Sequence, residues 1–199
     1  MPQPVDVFFS ADIESDGPVP GAYSMLSFAL VVAGRFDGAR FEPPASFDSA
    51  LELELRPVTE RFDADALAVS GLSRERLLRE GREPDEAMRE AAAWVRERAS
   101  GATPVLVGYP LGFDWAFLSY YFEVYGGGSP FGHSRGFDLK TAVALTLGVP
   151  IARAGRAGLP EALRGDRAHT HRALDDAIEQ AQVLGKLFAA RGASRPGAA

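Results

Sequence analysis

Residues 5–14, VDVFFSADIE, alternate with a period of two, and this constrains the fold more than any other stretch of the chain. A strand over these residues turns Ile13 to one face of a sheet and both Asp12 and Glu14 to the other. It therefore ends in a pair of hard oxygen ligands. Two further strands follow, over residues 23–33 and 51–55; in the second, Leu51, Leu53 and Leu55 alternate with Glu52, Glu54 and Arg56. The link between them, GRFDGARFEPP, supplies the Gly and Pro of a hairpin or meander. Helices are predicted after Ser73, from Pro84 with Asp85 and Glu86 in the first turn, over residues 114–125 ending at Gly126, and from a cap at Asp138 to Gly148. The chain reads as α/β, with three antiparallel strands first and then helices alternating with short strands.

More acids stand near element ends. Asp114 follows a short apolar run, residues 104–107, and opens an aromatic-rich helix. The last helix has an apolar stripe of Leu174, Ala177, Ile178, Ala181, Leu184 and Phe188, which Asp175 and Asp176 flank about symmetrically. Carboxylates brought together repel, and ionising the set costs steeply more unless protons or cations join it. Two Mg²⁺ or Mn²⁺ ions would neutralise four such groups, and these ions choose oxygen over sulfur, so the absence of cysteine costs this reading nothing. Taken singly, each acid has a plainer reading: strand-end charges at Asp12 and Glu14, a helix N-cap at Asp114, a solvated face at Asp176.

Taken together they resemble a family. FFSADIESDG, LVGYPLGFDWAFL and HTHRALDDAIEQAQVL are similar, in that order, to the three motifs of the DEDDh 3′-to-5′ exonucleases of the ribonuclease H-like superfamily, the group of ribonuclease T, oligoribonuclease and polymerase proofreading subunits. The intervening LAVSGLSRERL resembles the family's link between its third strand and the next helix. The resemblance implies a ribonuclease H-like mixed sheet of about five strands flanked by helices. It also implies two divalent metal ions held by Asp12, Glu14, Asp114 and Asp176, with His171 as general base. The family spacing His-x4-Asp selects Asp176 over Asp175. Five helical residues would rotate His171 away from Asp176, so His171 is expected in the loop or first turn, moving over the site independently.

The implied reaction is hydrolysis of single-stranded nucleic acid from the 3′ end, releasing nucleoside 5′-monophosphates. One metal activates water, the other steadies the leaving oxygen, and His171, with an ordinary pKa of about 6.5, takes the proton. RNA or short oligonucleotides are the expected substrate because the chain has the size of the ribonuclease T and oligoribonuclease branches, with DNA trimming or proofreading, or a catalytically weak binding module, as the alternatives. A homodimer is expected by the same analogy. Ser15, Gly17, Phe113, Arg167 and Arg172 are candidates for substrate contact. The second motif departs from the family pattern, with Tyr109 and Pro110 where His-Asn is common, and Ser27 stands in the second strand where an acid is often found.

Composition bounds the rest. A 199-residue chain that is 46% hydrophobic can bury one core, so residues 1–190 are expected to form a single domain and residues 191–199 a disordered tail. No stretch reaches the roughly 20 apolar residues needed to span a bilayer, and the N-terminus lacks a signal-like stretch, so a cytoplasmic location with no membrane contact is expected. A net charge of −6 suits gripping nucleic acid only near one end. Between residues 148 and 172, Arg153, Arg156, Arg164, Arg167 and Arg172 outnumber Glu161 and Asp166, reading equally as a phosphate grip or a solvated loop. His133 and His169 read as loop histidines, and Trp115, Phe117, Tyr120 and Tyr121 as core or flanking contacts of their helix.

Overall fold

The computed structural model describes residues 4–166 and 170–193. Strands β1 (Asp6–Ser15), β2 (Met25–Phe36), β3 (Phe41–Glu42), β4 (Ala50–Glu54), β5 (Thr103–Gly108) and β6 (Gly136–Asp138) form one sheet in the order β3-β2-β1-β5-β6, with β4 also paired to β2. The β1–β2 and β2–β4 pairs are antiparallel, as the alternating sequences predict, and β1–β5 and β5–β6 are parallel. The two-residue β3 brings the strand number to six among the described residues, one more than expected.

Helices α1 (Ala64–Ser70), α2 (Arg74–Glu80), α3 (Pro84–Ala99), α4 (Leu111–Val124), α5 (Leu139–Leu147) and α6 (Ala173–Ala193) complete the fold, and two cores form. On one face Val7, Phe9, Ala11 and Ile13 of β1 meet Met88, Ala91 and Val95 of α3 and Phe117, Leu118 and Tyr121 of α4. On the other, Phe8 of β1 with Ala29 and Val31 of β2 meets Val143 of α5 and Ala177, Ile178, Ala181 and Leu184 of α6. Burying each large apolar side chain contributes about 1.5–3 kcal/mol, so both faces of the central strand are firmly held. The same alternation that buries Ile13 under α3 and α4 turns Asp12 and Glu14 toward α6.

Helix α4 starts at Leu111, three residues before the predicted start. The reason lies 27 residues downstream: one oxygen of Asp138 accepts the Leu111 N–H (2.7 Å) while the other caps α5 at the Thr141 N–H (2.7 Å). Asp114 is thus inside the first turn of α4 and is not its N-cap. Helix α1 was not expected; it is capped by Asp63, ends at a left-handed Gly71 and fully buries none of its side chains, so it leaves little periodic signal. Helix α6 continues to Ala193, so residues 191–193 of the expected tail are helical, while residues 194–199 lie outside the described residues. Among the described residues no helix is long and apolar enough to cross a membrane.

Candidate active site

The parallel β1–β5 register runs to Ser10 opposite Val107, so the ends of both strands point the same way. Beyond that pair β1 continues through Asp12 and Glu14, and β5 turns through Tyr109 and Pro110 into α4. This brings the first turn of α4, with Asp114, beside the end of β1, where open α/β sheets generally build their sites. Glycine at position 108 makes the approach possible, since a Cβ there would stand 2.9 Å from Asp114 Oδ2 and 2.8 Å from Leu111 Cα. The Ile13 backbone N–H then faces the Asp114 carboxylate and favours its charged form.

The fourth carboxylate comes from α6. Asp176 is fully buried, whereas Asp175 stays partly exposed with Arg172 Nη1 3.5 Å away, so the fold sets apart two residues that periodicity leaves alike. Asp176 reaches back over the start of its helix: Oδ1 accepts the Thr170 N–H (2.8 Å) and Oδ2 accepts the His171 N–H (2.9 Å). These bonds hold His171 in a left-handed conformation (φ 56°) that costs a non-glycine residue on the order of 1–3 kcal/mol. His171 is in the loop before α6, but its backbone is tied to Asp176 rather than free to move independently. Ligand-capable atoms of Glu14, His171 and Asp176 all lie within 4.8 Å of one another.

Electrostatics show how strained the set is. Burial, then repulsion from Asp114, Asp176 and Glu14, raises the proton affinity of Asp12 well above the usual carboxylate range. Burial and Asp176 push Glu14 up to about 7, and burial pushes Asp114 up to about 8 despite the nearby Ile13 N–H and the charge of Arg156. A proton in such a cluster does what a bound cation would do better. An all-carboxylate donor set fits hard divalent ions, and Asp12, Glu14, Asp114 and Asp176 could hold them.

Three supporting residues were missed. Gln180 donates from Nε2 to Asp12 Oδ1 (2.9 Å) and fixes that carboxylate. Arg156 donates from Nε to Glu179 Oε2 (3.0 Å) and from Nη1 to the Tyr109 carbonyl (3.1 Å), with its guanidinium 5.1 Å from the Tyr109 ring centre. Glu179 and Gln180 sit three and four residues after Asp176, so helical spacing alone puts them on its face. For Arg156 nothing in the sequence separates it from the other arginines of its stretch.

The substrate candidates divide. Arg172 is exposed and, with Glu14 and His171, lines a cavity of about 410 Å³ that extends over Ser27, Glu52 and Glu54. Phe113 is 42% exposed beside Asp114, with its ring 5.0 Å from that of Phe117. Ser15, by contrast, is buried and donates to the Gly17 carbonyl (2.8 Å). A Cβ at Gly17 would collide with the Tyr23 ring, so packing explains that glycine without a nucleotide. Arg167, like His169, lies outside the described residues. Of the remaining arginines in the stretch, Arg164 donates to the Leu159 carbonyl (2.9 Å) and Arg153 is exposed. Phe117 and Tyr121 are core, and His133 is an exposed loop residue.

No family model matches the chain. It is 36% identical over 183 residues to the 3′-5′ DNA exonuclease Cap18 of Escherichia coli, covering 90% of each chain. Among solved structures it resembles the nuclease domain of 3′hExo, a DEDDh family member, bound to rAMP (TM-score 0.63, 10% identity, 93% of this chain and 92% of that one). It also resembles E. coli exonuclease I in complex with a dA16 oligonucleotide (TM-score 0.58, 16% identity), covering 93% of this chain and 40% of that longer one. At these identities the structures speak for the fold alone.

Proposed function

The chain belongs to the DEDDh 3′-to-5′ exonucleases of the ribonuclease H-like superfamily, and from that premise we propose that its substrate is single-stranded DNA, shortened from the 3′ end to nucleoside 5′-monophosphates. The observation that carries the reading is the convergence of Asp12, Glu14, Asp114 and Asp176 from β1, α4 and α6, with His171 beside them. The relative at 36% identity is a DNA exonuclease, and this favours DNA over the RNA expected from chain size alone.

Two Mg²⁺ or Mn²⁺ ions bound by the four carboxylates would supply an activated water and stabilisation of the leaving 3′-oxygen. The chain's own residues prepare the site. Gln180 orients Asp12, which enters the reaction already aimed. His171, exposed in its loop within reach of Glu14 and Asp176, accepts the proton of the attacking water. Arg172 meets the phosphates of the strand at the rim of the cavity, and few other cations are needed where only one end is held.

The test is side-by-side digestion of 5′-labelled single-stranded DNA and RNA in Mg²⁺ and Mn²⁺. Stepwise shortening, faster on DNA and stopped by chelator, is expected. Faster loss of RNA would reverse the choice of substrate, and no shortening of either in any metal would overturn the catalytic reading.

A further inference from the structure

The Arg156 guanidinium is built into the site as firmly as the carboxylates. Its Nε is held by Glu179 and its Nη1 by the Tyr109 carbonyl. Its central carbon lies over the Tyr109 ring. The Tyr109 hydroxyl in turn donates to the carbonyl of Ala154 (2.8 Å), two residues before Arg156, so the tyrosine clamps both the side chain and the loop that carries it. The remaining nitrogen, Nη2, is buried and has no hydrogen-bond partner among the described residues. A buried guanidinium N–H without an acceptor is costly and persists where the surrounding field compensates it. The acidic cluster is such a field: the clamp sets Arg156 between Tyr109, at the entry to the helix whose first turn carries Asp114, and the face of α6 on which Glu179 and Gln180 follow Asp176, with Gln180 bonded to Asp12.

We propose that Arg156, held by Tyr109 and Glu179, is a fixed internal counter-ion of the carboxylate cluster, a positioning residue that keeps the ligands together before metal arrives and sets how tightly metal then binds. The inference rests on the metal-dependent reading of the site. It gives Tyr109, the residue that departs from the family's second motif, a role in holding the clamp. It also assigns Glu179 the task of partly offsetting the arginine, so the two residues act on an incoming cation with opposite sign. Arginine repels a divalent ion and glutamate attracts it.

That opposition makes the test specific. Mn²⁺ binding to the full chain is measured by calorimetry, and melting is followed in chelator, for wild type, Arg156→Gln, Arg156→Lys and Glu179→Gln. R156Q is expected to bind Mn²⁺ more tightly, on the order of tenfold. E179Q should bind it several-fold more weakly, on the order of threefold or more, and R156K should stay near wild type. In chelator R156Q should melt below E179Q, because it leaves the carboxylates without their cation. If both variants shift Mn²⁺ affinity in the same direction, Arg156 and Glu179 are merely a structural pair and the proposal fails. If wild type binds no Mn²⁺, the metal reading of the site fails instead; the chelator arm still decides the counter-ion, which is refuted if R156Q melts no lower than E179Q.

Discussion

Replacing Glu14 with Gln should make the metal-free protein more stable at alkaline pH. In the folded chain burial and the neighbouring Asp176 lift this carboxylate from its ordinary 4.5 to about 7. A group that binds its proton more tightly folded than unfolded contributes stability that is fully present below the unfolded value and lost as pH rises through the folded one. Here that window runs from about 4.5 to about 7. The full rise corresponds to roughly 3 kcal/mol lost by pH 8.5. The amide of E14Q cannot ionise and escapes the loss while keeping the shape of the side chain. For a chain of this length 3 kcal/mol is on the order of 6–12 °C in melting temperature. Thermal melts of both proteins in chelator at pH 5 and pH 8.5 measure it: E14Q should lead clearly at pH 8.5, with the gap shrinking to under about 1 kcal/mol at pH 5. The same substitution should weaken stabilisation by Mn²⁺, because a ligand is gone. An E14Q protein less stable than wild type at both pH values would refute the claim that Glu14 is held against repulsion.

Other consequences follow from the same geometry. Removing the imidazole with His171→Ala should cut turnover by roughly two to four orders of magnitude while leaving Mn²⁺ affinity near wild type, as calorimetry beside a digestion assay would register; equal loss of both would make His171 a ligand and not a base. Asp138→Ala removes the caps of α4 and α5 together, which should cost about 2 kcal/mol in urea denaturation, and a loss under about 0.5 kcal/mol would contradict the double cap. Arg74→Ala leaves the fully buried Asp16 without its ion-pair partner and should destabilise by roughly 3–5 kcal/mol; a change under about 1 kcal/mol would show that the loop after β1 does not depend on the pair.

What the sequence reveals is what local chemistry dictates. The period of two in β1 fixes where Asp12 and Glu14 point, and Pro84, Asp138 and Gly148 mark helix ends through conformational preferences that act over a few residues. The start of α4 was misread because its cap comes from Asp138, distant in the chain. Choosing Asp176 over Asp175 needed family spacing, since two residues flanking one apolar stripe look alike until the sheet is laid against it. Arg156 was invisible for a related reason: five arginines in one stretch are equivalent until Tyr109 and Glu179, from two other elements, close on one of them. Gln180 was within reach, four residues after Asp176 on one helical face, but a lone polar residue at that spacing has many plainer uses.

The central claim is that Asp12, Glu14, Asp114 and Asp176 share hard cations. Crystals grown with Mn²⁺ and measured for anomalous scattering test it most directly: two peaks roughly 4 Å apart among these four carboxylates are predicted. Anomalous peaks elsewhere on the molecule, with none between β1, α4 and α6, would contradict it.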